Sequence, residues 1–360
     1  MTSPKRTAVV VGTRFGANSH VPALRMAGYE VAGLVGRDFE KTRDIAARIE
    51  VDAFAELGDA LVRKPHVVAV ASPPHTHAEL TRQAFAAGAH VVCEKPFTHT
   101  LEEALELRDL AAAKGLVGLL CHQFRYIAST ALFARLLDEG AIGEPRLATF
   151  VAHGGLAADV NVWRPEWWFN KDQSGGWFGA SGSHGMDQIR DWYGEVDSVS
   201  AQLFCAADRP ADFADDTFDL HFRTKAGLVG TFQSTAAAWG PPVTITRAVG
   251  PGGAMWIEDP ASVGILEATI GSVHVAGPDG ARIVPIPDDL VLPNVAAPGT
   301  SVGIPPLAQL YRDLRRMMDG EVLTRRRPRP ATFADGCANM RVMEAVRRSA
   351  ANRGAWETVV

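Results

Sequence analysis

Cysteine is scarce in this 360-residue chain, and the four present, Cys93, Cys121, Cys205 and Cys337, stand far apart without a CxxC or Cys/His spacing. That excludes a disulfide framework and a zinc-finger-type site and points to free thiols in a reducing compartment. Long apolar runs are missing too. No stretch approaches the roughly 18 apolar residues that a membrane span requires. The apolar run after the basic start MTSPKR is short and ends in Gly12, Thr13, Arg14, so it reads as a strand and not as a signal peptide. A cytoplasmic protein with no membrane partner is expected. An excess of either charge is also absent: the formal charge is -5, the isoelectric point is about 6.1, and no like-charge block occurs. This removes the electrostatic footprint of a nucleic-acid partner. Repeats and low-complexity tracts do not occur.

What is present is ordinary globular composition, 47% hydrophobic and 21% charged. Single hydrophobic cores stop growing near about 250 to 300 residues, so this length predicts two domains. The first third alternates strand-like runs (Ala8 to Val11, Val31 to Val35, Val67 to Ala71, His90 to Cys93, Val117 to Cys121) with helix-like stretches (Ala17 to Ala27, Glu40 to Ile49, His77 to Ala87, Leu101 to Lys114). That βαβα order predicts a doubly wound parallel sheet with helices on both faces. From Arg146 onward a series of strand-like runs separated by turns, from Leu147 to His153 through Arg282 to Ile286, predicts a mostly antiparallel sheet. Two terminal helices, Ala308 to Met318 and Phe333 to Ala351, are expected to pack back on the first domain. The expected class is α/β: residues 1–122 form a nucleotide-binding domain and 123–360 an α+β domain.

The stretch VVVGTRFGANSHVPALRMAGYEVAGLVGRD reads strand, tight turn, helix, strand. Its turn, Gly12, Thr13, Arg14, Phe15, Gly16, Ala17, fits G-x-G-x-x-G/A in part: Arg14 stands at the second glycine position and Ala17 at the tolerated third. Such a turn brings backbone N–H groups to a pyrophosphate. After the second strand comes Gly36, Arg37, Asp38. An arginine there suits the 2'-phosphate of NADP and an acidic residue the ribose hydroxyl of NAD, so Arg37 favours NADP, with Asp38 turned back to the ribose of NAD as the alternative.

At VVAVASPPHTHAELTRQAFAAGAHVVCEKPFTHT the chain resembles the Gfo/Idh/MocA family, the relatives of glucose-fructose oxidoreductase and inositol dehydrogenase. The resemblance is carried by Pro73, Pro74, His77 and Glu79, by Glu94, Lys95 and Pro96, and by HQFRY, EGAIGEP and the closing helix. It implies a Rossmann domain followed by a domain whose open antiparallel sheet serves a homo-dimer or homo-tetramer. It also implies hydride transfer between NAD(P) and a hydroxyl or ketone carbon of a sugar, polyol or related cyclic substrate. Lys95 matches the family's active-site lysine, and Ser72, Pro73, His77 and Glu94 fall with it at the coenzyme. Only seven lysines stand against twenty-nine arginines, so a lysine here is not the chain's habitual cation.

The family's second element, G-G-x-L-x-D-x-G-x-H-x-x-D, is kept here at Gly175, Gly176, His184 and Asp187, but Ala180 occupies the first Asp position. Alanine transfers no proton. His184, naturally titrating near neutrality, is then the expected acid/base, with Tyr126 or Asp172 as substitutes. A redox-assisted lyase, epimerase or glycoside-cleaving enzyme, or a catalytically silent cofactor-binding protein, are the alternatives this departure opens. Arg125 and the insert tryptophans Trp163, Trp168 and Trp177 are candidates to face the substrate; a core or subunit interface is the other reading of the tryptophans. His75, His77 and His99 lack further ligands at metal-binding spacing, and no metal is expected.

Overall fold

Val9, Val10, Val67, Val68, Val91 and Val92 are wholly buried, because the strands that carry them are sandwiched on both faces, as parallel strands require. In the computed structural model, which describes residues 5–162, 164–210, 212–258, 271–292, 303–323 and 328–360, the chain forms two units. The first comprises Met1–Gln123 with Pro293–Cys337, the second Phe124–Leu292 with Ala338–Val360.

The sheet of the first unit is built from β1 (Thr7–Val11), β2 (Glu30–Val35), β3 (Asp52–Phe54), β4 (Val67–Val70), β5 (His90–Cys93) and β6 (Gly118–Leu120). They run parallel in the order β6-β5-β4-β1-β2-β3, and the short strand Ala331–Thr332 is added antiparallel on β6. Helices α1 (Val21–Met26), α2 (Phe39–Arg48), α3 (Leu57–Leu61), α4 (His77–Ala86) and α5 (Leu101–Lys114) make the crossovers. The strand order reverses at β1, so the carboxyl ends of β1 and β4 border the crevice where doubly wound sheets take their ligands. β3 and α3 escaped the sequence reading because three and five residues are too short to show a period.

The second unit holds α6 (Ala128–Asp138), β7 (Leu147–His153), α7 (Ser183–Tyr193), β8 (Val196–Phe204), β9 (Thr217–Thr224), β10 (Val229–Thr235), β11 (Val243–Gly250), β12 (Gly253–Glu258), β13 (Ser272–Gly277) and β14 (Gly280–Val284). The sheet order is β14-β13-β12-β11-β7-β10-β9-β8, with Glu357–Thr358 on the edge of β8. All neighbours are antiparallel except β7 and β10. One sheet face carries Phe150 and Phe232, which meet each other and, through Phe150, Trp192 of α7. The ladder Arg247, Trp256, His274, Ile283 runs across the other face, with the Trp256 and His274 rings stacked 5.0 Å apart. Sequence reading assigned no element to α6, whose residues are buried nearly all round.

The chain then returns to the first unit through α8 (Ile304–Met318), which starts four residues before the expected helix on Pro305 and Pro306, where proline costs no helical hydrogen bond. α8 lies along α1, and Tyr29 Oη donates to the Tyr311 carbonyl at 3.2 Å. The last helix, α9, spans Phe333–Ala351, and its first residues belong to the first unit and the rest to the second. Among the described residues no helix is long and apolar enough to cross a membrane.

Candidate active site

The turn after β1 approaches the end of β4 so closely that a Cβ on Gly12 would sit 2.2 Å from the Ala71 carbonyl oxygen, and Gly12 holds φ at +122°. Glycine is the residue that fits there. A single π turn, Gly16–His20, leads into α1. Of the turn residues expected at the coenzyme, Gly12, Thr13 and Phe15 are half-buried, Gly16 and Ala17 are buried, and Arg14 is exposed. A Cβ on Gly36 would lie 2.5 Å from Thr13 Cγ2, so the end of β2 packs against the same turn. Beyond it Arg37 is exposed, while the Asp38 carboxylate caps α2 by accepting from Lys41 N at 3.1 Å. The residues present fit a dinucleotide: a turn at the switch point opened by Gly12 and Gly16, with a cation two positions past β2.

At the end of β4, the Ser72 and Thr76 hydroxyls share a hydrogen bond of 2.6 Å, and Thr76 donates to the Pro73 carbonyl. His77 is fully buried, with Nε2 2.8 Å from the Ser72 carbonyl and Nδ1 2.9 Å from that of Phe97. Burial pushes its pKa down despite these partners. The imidazole thus ties the β4 loop to the loop after β5.

That second loop carries Glu94 and Lys95, followed by a cis bond to Pro96. Lys95 is half-buried. Desolvation pushes its pKa below the ordinary lysine value, opposed first by the charge of Glu94 and then by Cys121. Burial acts to raise Glu94, but the hydrogen bond and charge of His20, and then Lys95, outweigh it and hold the carboxyl at about 2. His20 is the residue that sequence reading missed: wholly buried, it sets Nε2 3.0 Å from Glu94 Oε1 and Nδ1 2.5 Å from Tyr311 Oη. Its signal was a histidine eight positions after Gly12, at the point where the turn becomes the helix.

In the second unit His184 lies in the first turn of α7, buried. A Cβ on the next residue, Gly185, would meet the Phe232 ring at 2.2 Å, so this glycine lets α7 lie tightly on the sheet. Phe124 stacks on the imidazole with centroids 4.1 Å apart. Arg125 is buried, donating through Nε and Nη2 to Asp187 at 2.7 and 2.6 Å, with Asp191 at 3.4 Å from Nη1. The guanidinium expected at the substrate is thus engaged by α7 carboxylates. Tyr126 is 1% exposed. Ala180 is buried in the π turn Phe178–Gly182, and the Asp215 carboxylate braces that turn, accepting from Phe178 N at 2.7 Å.

The tryptophans divide. Trp177 is buried and donates Nε1–H to Ser234 at 2.9 Å, and half-buried Trp168 packs on it at 5.8 Å. Trp163 lies outside the described residues, as does the side chain of Asp172. His20, Glu94 and Cys121 bring donor atoms of metal-binding type within 4.8 Å of one another. The first two, however, are in hydrogen-bond contact, and burial pushes the Cys121 thiol far up, which disfavours the thiolate a metal needs.

The fold and the turn at β1 define a dinucleotide-binding α/β protein of the oxidoreductase type. Residues 6–122 match the model of the oxidoreductase family with the NAD-binding Rossmann fold, and residues 131–255 match the GFO/IDH/MocA C-terminal domain. The chain belongs to the Gfo/Idh/MocA family. It is similar to an uncharacterised oxidoreductase of Synechocystis sp., 33% identical over 213 residues, or 58% of this chain and 57% of that one. It is also similar to levoglucosan dehydrogenase of Pseudarthrobacter phenanthrenivorans, 36% identical over 141 residues, 38% of this chain and 35% of that one. The matched segments thus span from about a third to just over half of these relatives. A solved structure of levoglucosan dehydrogenase in complex with NADH and levoglucosan covers 99% of this chain and 100% of its own, with TM-score 0.83 and 24% identity.

Proposed function

We propose that this protein transfers hydride between a nicotinamide dinucleotide and a secondary hydroxyl or ketone carbon of a sugar, polyol or related cyclic substrate. One observation carries the reading: in an NAD-binding oxidoreductase family, the chain keeps a half-buried lysine with a depressed pKa beside a buried carboxylate at the carboxyl end of β5. The relative that is a levoglucosan dehydrogenase supports a sugar-like substrate.

The coenzyme, when bound, supplies or accepts the hydride. The Gly12 to Ala17 turn would hold its pyrophosphate, and Arg37 a 2'-phosphate. Exposure of Arg37 and the engagement of Asp38 in capping α2 support NADP over NAD. Lys95 would stabilise negative charge on the substrate oxygen. His184 would take or return the hydroxyl proton, since Ala180 has no group to do so. Trp168 and Trp177 would line the sugar-binding part, whereas Arg125 and buried Tyr126 would act through the packing of α7. Self-association would use the sheet face bearing Trp256, where Leu147, Val229, Ile245 and Ile283 are exposed. Three of the four thiols are buried and all are free, which supports a cytoplasmic location.

The test is titration of NADPH and NADH by fluorescence, then absorbance assays at 340 nm against sugars, inositols and cyclic ketones. Turnover that Lys95→Ala and His184→Ala abolish is expected. Failure to bind either nucleotide overturns the proposal, as does full turnover by Lys95→Ala. Ala180 favours one second reading, a lyase that keeps its nicotinamide; purification with stoichiometric coenzyme and no net oxidation of substrate is its signature.

A further inference from the structure

The chain Tyr311, His20, Glu94 joins α8, the π turn before α1 and the end of β5, all within the first unit, and none of its three side chains faces solvent. Burying an ionised carboxylate is costly unless hydrogen bonds compensate it, so a fold that keeps one here, one residue from the lysine, invites an account of its use. A carboxylate only accepts hydrogen bonds. The 3.0 Å contact therefore assigns the proton to His20 Nε2, which donates to Glu94 Oε1. At the other end Tyr311 Oη occupies Nδ1 at 2.5 Å. Burial first, then the charge of Glu94, pushes the phenol far up, so the hydroxyl keeps its proton and holds the ring in one orientation. The second carboxylate oxygen, Oε2, accepts the backbone N–H of Lys95 at 3.2 Å.

We propose that His20, held by Tyr311, is a positioning residue for Lys95: it fixes Glu94 as an oriented anion next to the lysine and so sets how readily that lysine releases its proton. This rests on the reading of Lys95 as the cation at the reacting oxygen. The other titratable groups facing the pair are accounted for. Cys93 and Cys121 are thiols whose pKa burial drives well up. His77 is pushed down by burial and has its ring nitrogens 2.9 and 2.8 Å from the Phe97 and Ser72 carbonyls, one of which its single N–H serves. The charge of Glu94 is thus the strongest influence opposing desolvation at Lys95. Without the His20 donor, burial acts on Glu94 unopposed by its strongest partner and the carboxyl tends to protonate. The lysine then loses its counter-charge and its proton is released at lower pH.

The experiment uses the full chain without coenzyme. Lysine amines are labelled competitively with acetic anhydride across pH, and the Lys95 peptide is quantified by mass spectrometry against the other lysines. In His20→Leu the Lys95 titration should move down by at least about one pH unit. In His20→Gln, whose amide N–H replaces Nε2–H, it should stay near wild type. Tyr311→Phe should move it down by less. The Lys95-dependent limb of the pH profile of kcat/KM should follow, while the coenzyme dissociation constant stays put. A Lys95 titration unchanged in folded His20→Leu overturns the proposal, as does an equal shift in His20→Gln. Should His20→Leu not fold, Tyr311→Phe, which deletes one oxygen, carries the test, and a Lys95 titration unmoved by it is the overturning result. Labelling needs no turnover, so retained activity in Lys95→Ala would remove the assigned role of the lysine without touching the measured coupling.

Discussion

The Phe124 ring lies flat on the His184 imidazole, with centroids 4.1 Å and planes 17° apart. Stacking of this kind contributes about 0.5 to 1.5 kcal/mol beyond area, and here it restricts rotation of the imidazole proposed to move the hydroxyl proton. Phe124→Leu keeps apolar bulk but loses the stack. It should lower kcat by about 3- to 10-fold, the equivalent of roughly 1 kcal/mol, with little change in the KM for coenzyme. In a His184→Ala background the same change should add nothing, which steady-state kinetics of the four proteins decide. Additive losses would mean that Phe124 does not act through His184.

Beside that stack, Arg125 and Asp187 form a bidentate pair, each about 2% exposed or less, and Asn339 adds a contact to Asp187 at 3.2 Å. Removing one partner of a buried pair leaves the other charged without its counter-ion, which costs about 3 to 5 kcal/mol. Asp187→Ala should therefore lower the midpoint of thermal and urea unfolding sharply, and Asp187→Asn less. A loss under about 1 kcal/mol would show that Asp191 alone compensates the guanidinium.

Much of the first unit was legible because buried parallel strands are continuous apolar runs, and the turn at Gly12 and the Glu94 to Pro96 tripeptide mark their own places. The antiparallel strands were legible too, Leu147–His153 and Thr217–Thr224 to the residue, since alternation and turn chemistry repeat. What escaped is informative. α6 is buried nearly all round, and β3 and α3 are too short for a period. His20 and Tyr311, 291 positions apart, meet through tertiary packing alone. Arg125, inside the HQFRY motif, pairs with Asp187, 62 positions away, and with Asp191, contacts that no spacing in the sequence announces.

Arg37 follows Gly36, whose missing side chain lets the end of β2 approach Thr13. With Asp38 committed to the α2 cap, the proposed reading gives the guanidinium to a coenzyme 2'-phosphate. Arg37→Ala should raise the KM for NADPH by about tenfold, roughly 1.4 kcal/mol, and leave that for NADH within about twofold. Equal losses for both coenzymes would remove the 2'-phosphate assignment.

Two carboxyls give opposite pH signatures. Glu94 is held at about 2 against an ordinary 4.5, so its contribution is present above about pH 4.5 and is lost as pH falls toward 2. Glu94→Gln should therefore destabilise at neutral pH, by about 3 kcal/mol at most, and flatten the acid limb of the stability curve. Asp215 is the reverse. Burial raises it from 3.8 to about 6, only partly opposed by the Phe178 N–H and by Arg347, so its stabilising share is complete below about pH 3.8 and is lost as pH rises through 6. Asp215→Asn keeps an acceptor for the Phe178 N–H while removing the buried charge. It should raise stability at pH 8 by about 2 kcal/mol and leave it unchanged at pH 3. Thermal melts of both variants across pH 3 to 8 read the two signs directly: a stability gain for Asp215→Asn at pH 3 equal to that at pH 8 would show that charge burial is not its source.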